Sequence, residues 1–200
     1  MKSFTAIGTL TVTLLLASSA YAAPGDMLVR VRAVNIDWSS SSSPVAGVAA
    51  SNKTIPEADL TYFFTNNIAT ELILTYPQSV NINLNGAALG SVKALPPILT
   101  VQYHFMPDST SFRPYVGAGL NYTNFSSVNL NAGSTPLSIN KSSTGGALQA
   151  GFDIPISGDM SFNFDIKKTY IKTDVSTPAG YLTTLKLDPL LVSLGLGWKF

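Results

Sequence analysis

From Met27 to Phe200, apolar and polar residues alternate with a period of two, and few folds accommodate this over so long a chain. Successive side chains of a strand point to opposite faces, so the period predicts strands with one apolar and one polar face. Eight segments show it: 27–38, 57–64, 71–76, 98–105, 115–123, 147–154, 160–167 and 190–200. In the last of them, every even residue from Leu190 to Phe200 is apolar.

The connections between these segments alternate in length. Short connections lie near residues 65–67, 107–111 and 155–159. Long ones, rich in Ser, Asn, Gly and Thr, lie at about 39–55, 77–94, 126–143 and 174–184. Short periplasmic turns and long outer loops are typical of outer-membrane proteins. The sequence therefore predicts an all-β fold, an eight-stranded antiparallel transmembrane β-barrel.

A soluble β-sandwich or a lipocalin-like barrel would also alternate, but its apolar face would point inward. Composition favours the membrane. Of 200 residues, 46% are hydrophobic and 12% are charged, about half the ~25% charge of a soluble domain. After the first two dozen residues no apolar run reaches the ~18–20 residues of a spanning helix. The hydrophobicity therefore belongs to short strands that face lipid.

The first 22 residues have the pattern of an export signal. Lys2 is followed by an apolar stretch, Ala6 to Ala17, and then by small residues up to Ala22. We expect cleavage after Ala22, with Ala23 as the alternative, since the stretch is too short for a membrane anchor. Residues 1–22 are thus predicted to be a cleaved signal peptide and residues 23–200 a single barrel. The predicted destination is the bacterial outer membrane, reached through the periplasm.

Several function classes find no support in the composition. The net charge of +1 offers no electrostatic surface for nucleic acid, and the absence of cysteine excludes disulfides and thiolate sites. His104 is the only histidine, and Phe105-Met106 follow it where a barrel lipase would have a nearby serine. No cluster has metal-ligand spacing. We expect neither an enzyme nor a cofactor or metal.

In a membrane barrel the charged, glycine-containing face must line the lumen, because lysine or arginine on the lipid face costs ~2–4 kcal/mol at the midplane. The predicted residues of a polar plug in the periplasmic half of the lumen are Arg30, Arg32, Glu71, Gln102, Asp153, Asp165 and Lys199, with Lys167 just above them. Opposite charges there can pair, as buried charges must. This favours a structural plug over an ion pathway and predicts no wide aqueous pore.

In the half of the lumen nearer the cell exterior, the inward-facing positions are occupied by apolar residues. The candidates for an apolar pocket, or for packing alone, are Ile36, Trp38, Ile73, Ile98, Ile171 and Leu191. Glu57 nearby weakens the pocket hypothesis. The first strand leaves two interpretations open, because beyond Ala33 its apolar residues change parity. Either a bulge reverses the register or the register continues and the upper lumen is apolar.

Four stretches are similar to the OmpW family of small outer-membrane proteins. They are Leu95–Phe105, Phe112–Phe125, Thr65–Leu72 and Leu187–Phe200. The resemblance implies an eight-stranded barrel with a narrow hydrophobic channel that opens outside and passes small hydrophobic compounds sideways into the membrane. The alternating last strand, ending in phenylalanine, resembles many outer-membrane proteins and implies recognition of Leu196, Trp198 and Phe200 by the barrel assembly machinery.

The preferred hypothesis is a monomer in outer-membrane lipid and lipopolysaccharide that passes small hydrophobic solutes without energy input. A lateral gap is expected where prolines such as Pro97 or Pro189 interrupt the wall. The alternative is a structural or receptor barrel whose loops bind partners and whose lumen is filled. A lipid-directed enzyme that uses His104 is the third class.

Overall fold

The computed structural model of the protein describes residues 23–200; the predicted signal peptide, residues 1–22, lies outside them. Regular structure in this range consists of strands: β1 Met27–Trp38, β2 Ser41–Ser43, β3 Val48–Ala50, β4 Lys53–Phe63, β5 Ile68–Leu74, β6 Gln78–Leu84, β7 Ala87–Leu95, β8 Ile98–His104, β9 Arg113–Ala132, β10 Thr135–Ile139, β11 Ser142–Ser157, β12 Met160–Thr169, β13 Lys172–Thr177, β14 Gly180–Lys186 and β15 Pro189–Lys199. No helix in this part of the chain has the length and hydropathy needed to cross a membrane.

Eight of these strands close into a barrel. Neighbours pair antiparallel in the order β1, β4, β5, β8, β9, β11, β12 and β15, and β15 pairs back onto β1. The turns at one end, residues 64–67, 105–112 and 158–159, are short. Met27 and Phe200, at the ends of the first and last strands, lie together at that end, as an even strand number requires. The predicted eight-stranded antiparallel barrel is confirmed.

Strand β1 settles the question of register beyond Ala33. Its pairing with β15 runs without a shift from Leu28 opposite Lys199 to Trp38 opposite Pro189. Its even residues are buried along most of the strand, so Val34 and Ile36 follow Arg30 and Arg32 into the lumen. There is no bulge, and the upper lumen is apolar.

The outer wall exposes large apolar side chains that a soluble protein would bury. Leu99, Val101, Leu120 and Leu148 are each more than half exposed. Exposed aromatic residues lie toward the short-turn end (Phe64, Phe105, Phe200) and toward the opposite end (Tyr76, Tyr122, Tyr170). Two aromatic girdles around an apolar band are expected where a barrel meets the two surfaces of a bilayer.

Above the membrane, the four stretches predicted as long loops are largely strands. Pairing runs from β3 through β6, β7, β9, β10, β13 and β14 to β2. The two ends of this upper collar meet where the Val48 amide donates a hydrogen bond to Ser42 Oγ, at 3.2 Å. The collar extends the barrel wall outward.

The collar is held together by an apolar core of its own. Its buried members are Val48, Val80, Ile82, Val92, Ala94, Phe125, Leu130, Leu137, Ile171, Val175, Leu185 and Leu187. Polar residues such as Asn81 and Ser91 alternate with these and face outward. The period of two therefore continues through segments whose overall composition resembles that of loops.

Candidate functional site

The lower lumen is filled by a charge network of eight buried side chains. Its members are Arg30, Arg32, Glu57, Asp59, Glu71, Asp153, Asp165 and Lys167. They come from β1, β4, β5, β11 and β12, so the contacts cross the lumen as well as follow the wall. Buried charges are tolerated when they are paired and hydrogen-bonded, and all eight have an oppositely charged neighbour.

Arg30 joins opposite sides of the barrel. Its Nη2 lies 2.7 Å from Asp153 Oδ2 and its Nε donates to Oδ1 of the same carboxylate at 3.1 Å. Its Nη1 donates to Thr61 Oγ1 at 2.9 Å and lies 3.4 Å from Asp59 Oδ1. The paired contacts with Asp153 fix the plane of the guanidinium, which is a strong form of ion pair.

Arg32, one inward step above Arg30, has four carboxylates within 4 Å, three of them close and the fourth, Asp165, at 3.8 Å. Its Nη2 lies 2.6 Å from both Asp59 Oδ2 and Glu71 Oε1. Its Nε lies 3.2 Å from Glu57 Oε1. Glu57 therefore belongs to the network and does not intrude on the apolar region above.

Lys167 and a glutamine complete the upper layer of the network. Lys167 Nζ lies 3.4 Å from Glu71 Oε2 and 3.2 Å from Asp165 Oδ1. Gln149 Nε2 donates to both of these carboxylates, at 2.8 and 2.7 Å. Gln102 in turn donates to Gln149 Oε1 at 3.2 Å. Opposite charges and amides thus occupy the cross-section of the barrel.

Glycines make room for these long side chains. A Cβ on Gly195 would lie 2.6 Å from Arg32 Cγ, and one on Gly151 would lie 2.5 Å from Tyr115 Oη. Tyr115 is fully buried and donates from that hydroxyl to Asp165 Oδ2 at 2.8 Å. An eight-stranded barrel has little interior space, so glycine on the inward face lets bulky side chains pack against the wall.

The structure brings together seven of the eight residues predicted for the polar plug: Arg30, Arg32, Glu71, Gln102, Asp153, Asp165 and Lys167. Lys199 does not join them. It pairs in register with Leu28, one inward step nearer the periplasmic mouth than Arg30, and its Nζ lies 3.4 Å from Asp26 Oδ2. Lys199 is on the inward-facing side of its strand, as predicted, but it lies so close to the end of the barrel that it is at the rim.

Sequence reasoning missed several members of the network. Asp59, Gln149, Asn163 and Tyr115 are buried and bonded within it, and all were on the inward-facing positions of the predicted strands. Parity alone would have included them. What it does not reveal is which inward residues on distant strands lie at the same height.

Above the network, the collar encloses an apolar chamber of about 50 Å³. Its wall comes from the hydrophobic residues Val45, Val48, Ile82, Leu84, Leu89, Val92, Phe125, Leu130, Ala132, Leu137, Ile139, Val175, Leu182, Leu185 and Leu187, with Thr173 and Thr183. None of these was among the candidates from sequence. The chamber arises because hairpins far apart in the chain pair into one collar.

The six apolar candidates lie below or beside this chamber. Ile36 and Leu191 share a cluster with Val34 and Ile55. Two others, Ile73 and Ile98, pack with Ala147, and Ile171 belongs to the collar core. Trp38 is half-buried and contacts both the collar core and the Ile36 cluster. None of the six lines the cavity itself, and their role as a ligand path stays a prediction.

The single histidine is part of the packing at the periplasmic end. His104 is buried between the rings of Phe63 and Tyr115, with centroids 4.9 and 5.0 Å away. Its Nε2 lies 3.1 Å from Gln102 Oε1. Both the ring faces and this nitrogen of His104 are thus engaged by neighbouring side chains.

The barrel wall is interrupted where the transmembrane strands meet the collar. Pairing between β5 and β8 stops at Ile73 opposite Ile98 and resumes between β6 and β7 at Gln78 opposite Ala94. The interval, residues 74–77 and 95–97, contains three prolines, Pro77, Pro96 and Pro97, which have no N–H to donate. We call it the proline seam. Thr75 Oγ1 in the seam and Gln78 Oε1 at its upper edge are buried without a hydrogen-bond partner among the described residues.

A sequence model of the OmpW family matches residues 23–200, the whole of the described chain. The chain belongs to the OmpW family. Its relatives include the outer-membrane protein y4mB of Sinorhizobium fredii, 38% identical over 86% of this chain and 79% of that one. Outer membrane protein W of Vibrio cholerae is 33% identical over 88% and 89%. The dibenzothiophene metabolism operon protein DoxH of a Pseudomonas species is 29% identical over 92% and 93%.

Solved structures agree with the family assignment. The crystal structure of OprG from Pseudomonas aeruginosa matches with a TM-score of 0.80 at 25% identity, covering 90% of this chain and 98% of that one. The solution structure of Outer membrane protein W from Escherichia coli matches with a TM-score of 0.67 at 29% identity, covering 89% and 99%. This OmpW-family protein is therefore an integral barrel of the bacterial outer membrane, in contact with membrane lipid.

The last strand of this OmpW-family barrel faces lipid with its apolar side. Leu196, Trp198 and Phe200 are all exposed on the outer wall. Their recognition by the barrel assembly machinery stays a prediction.

Proposed function

We propose that this OmpW-family barrel gives small hydrophobic molecules a passive path from outside into the membrane. Solutes enter the apolar chamber of the collar, stop above the charge network, and leave sideways through the proline seam. No energy input is needed, because the bilayer is a better solvent for an apolar solute than water is.

The observation that carries this proposal is a chamber lined almost entirely by apolar side chains, outside the membrane. A soluble domain would fill such a space, and a water-filled pore would line it with polar groups. At about 50 Å³ the cavity is smaller than the ~150 Å³ that accommodates benzene in an engineered protein core. Solute uptake therefore requires the collar hairpins to move apart.

The charge network supports an exit to the side and not downward. An apolar solute that moved past Arg32 and Glu71 would have to separate ion pairs that are shielded from water. Breaking a buried pair is strongly unfavourable. Ions face a comparable barrier, because the side chains of the network occupy the cross-section.

The proline seam supports a lateral exit. It separates the transmembrane pairing of β5 and β8 from the collar hairpin that carries Ile82 and Val92 of the chamber wall, and its prolines have no N–H to donate across the gap. Of the two prolines proposed from sequence, Pro97 lies in this interval. Pro189 pairs in register with Trp38, so the wall between β15 and β1 is continuous there.

The name of one relative supports a path for hydrophobic molecules. DoxH belongs to an operon of dibenzothiophene metabolism, and dibenzothiophene is a fused aromatic compound with no charge. A path for uncharged aromatic compounds fits the lining of the chamber.

The proposal is tested with a bulky side chain in the chamber. Val92 is buried in the chamber wall, whereas Val101 faces lipid, so Val92→Phe and Val101→Phe form a matched pair. Purified protein is placed in vesicles whose outer leaflet contains lipopolysaccharide, and an apolar dye that fluoresces only in lipid is added. We expect Val92→Phe to slow dye arrival at least several-fold and Val101→Phe to leave the rate unchanged.

The competing function is a receptor barrel whose collar binds partners and whose lumen is merely filled. In that case dye would arrive at the protein-free rate with the wild type and with both variants. Equal rates for all samples would overturn the proposed path. Heat-dependent migration on gels shows that each variant has folded.

A further inference from the structure

Three lysines lie on the outer face of the wall where β12 and β15 pass into the hairpin of β13 and β14. Lys172 and Lys186 stand directly opposite each other across that hairpin. Lys168 lies four residues before Lys172 and donates from Nζ to the backbone carbonyl of Asp188. We call Lys168, Lys172 and Lys186 the lysine patch.

The patch lies at the height of the outer membrane surface. From Met160 at the periplasmic turn to Tyr170 the chain rises by about 25 Å, since each residue advances ~3.3 Å along a strand tilted by ~40°. That is the height of the apolar band of such a barrel. Tyr170, which is exposed, belongs to the upper aromatic girdle, and Lys172 comes directly above it.

A directly opposed pair of lysines is unfavourable unless something neutralises it. Within residues 23–200, no carboxylate oxygen lies within 4 Å of the Lys172 or Lys186 ammonium. The nearby carboxylate of Asp174 is engaged elsewhere. It accepts hydrogen bonds from Thr184 Oγ1 and Asn140 Nδ2, which lower its pKa, and the positive charge of Lys172 lowers it further.

Asp188, the other acid beside the patch, is also engaged. Its Oδ1 accepts a hydrogen bond from the Ile171 amide at 3.0 Å and so holds the junction between β12 and β13. Both carboxylates keep their charge, but neither comes within 4 Å of the Lys172 or Lys186 ammonium, so these two lysines have no direct ion-pair partner among residues 23–200.

A groove of about 340 Å³ adjoins the two lysines on the outer surface. Thr144, Gly145, Tyr170, Ile171, Lys172, Lys186 and Asp188 line it. Here β11 runs beside β13 without a regular ladder, and the Lys172 amide donates to Ser143 Oγ instead. The groove is large enough for a phosphorylated headgroup, and Tyr170 at its lower edge provides an aromatic face toward the acyl chains.

We infer that the lysine patch and this groove bind the phosphate groups of a lipid in the outer leaflet, where lipopolysaccharide supplies phosphorylated lipid anchors. Lys172 and Lys186 contact phosphate and Lys168 lies at the lower edge. The acyl chains lie against the apolar wall below Tyr170. This site is independent of the chamber and of the proposed passage of solutes.

The test compares three probes on purified protein in detergent micelles: lipid A with both phosphates, the same lipid with its phosphates removed, and inorganic phosphate. The double variant K172Q/K186Q removes both charges from the groove. We expect its apparent Kd for phosphorylated lipid A to rise by about 30-fold, because each lysine at an anionic surface contributes roughly a factor of five. Binding of the dephosphorylated lipid should not change.

Two matched variants complete the test. K53Q/K93Q removes two lysines from β4 and β7, away from the groove, and should bind phosphorylated lipid A as the wild type does. K172R/K186R keeps the charges and should also retain binding. The inference is overturned if K53Q/K93Q loses as much affinity as K172Q/K186Q. It is also overturned if the phosphates of lipid A make no difference to the wild type, or if inorganic phosphate binds as tightly as the lipid.

Discussion

Single residues in this barrel have roles set by their height as much as by their parity. Arg30 and Val34 are both inward-facing residues of β1, yet one is in the charge network and the other in an apolar cluster. The sequence predicts the inward face of most strands, because apolar and polar residues alternate; in β1 the apolar residues change parity beyond Ala33, and the register was decided by the structure. It does not predict the counter-ions: Asp59 lies 2.6 Å from Arg32 only because β1 and β4 pair with Arg32 opposite Glu57.

Glu71 tests the energetics of the network. Its carboxylate lies 2.6 Å from Arg32 and 3.4 Å from Lys167, so Glu71→Gln removes one carboxylate partner from each of two buried cations, while Asp59 stays beside Arg32 and Asp165 beside Lys167. We expect the free energy of unfolding to fall by up to about 3–5 kcal/mol, which is the cost of breaking a buried pair completely. Urea unfolding in phospholipid vesicles measures this change.

The control is Asp26→Asn at the periplasmic rim, where the pair with Lys199 is partly exposed to water. Partly exposed pairs contribute less than about 1 kcal/mol, so this variant should unfold close to the wild type. Equal losses in the two variants would show that the network contributes no more than a surface pair does.

At the level of whole elements, the eight transmembrane strands were predictable and the collar was not. Segments rich in Ser, Asn and Gly were interpreted as loops, yet residues 78–95 form a hairpin. One local signal was present: Asn85-Gly86 is a two-residue turn with positive φ at both residues, the preferred link of a tight hairpin. The pairing of that hairpin with β9 depends on contacts far apart in the chain, which periodicity does not contain.

The proline seam allows a prediction about strand pairing. Replacing Pro96 and Pro97 with alanine supplies two N–H groups with which the wall can extend the pairing between Ile98 and Ala94. We expect the double variant to be at least as stable as the wild type and to slow arrival of an apolar dye several-fold in lipopolysaccharide-containing vesicles. The rate of dye arrival and the urea midpoint are measured together.

Pro155→Ala in β11 is the control for that experiment, because Pro155 lies near the periplasmic turn, far from the seam. It should not alter dye arrival. If the double variant passes dye as fast as the wild type, solutes do not leave through this interval of the wall.

For the whole molecule, the distribution of polarity explains why so apolar a chain folds. The apolar side chains are divided between a lipid-facing wall and an enclosed collar, and eight of the charged ones are concentrated in the lower lumen. The lipid-facing wall was predictable from the alternation and the composition. The enclosed collar was not, because an apolar chamber above the membrane requires three hairpins and the β2–β3 segment to assemble, and each one separately has the composition of a loop.

The central claim is that an apolar path exists in a barrel that conducts no ions. The most direct measurement records ion conductance and apolar-dye arrival for the same purified protein in lipopolysaccharide-containing bilayers. The account predicts dye arrival several-fold above that of protein-free membranes, with conductance at the protein-free level. Stable ion conductance without faster dye arrival would contradict it.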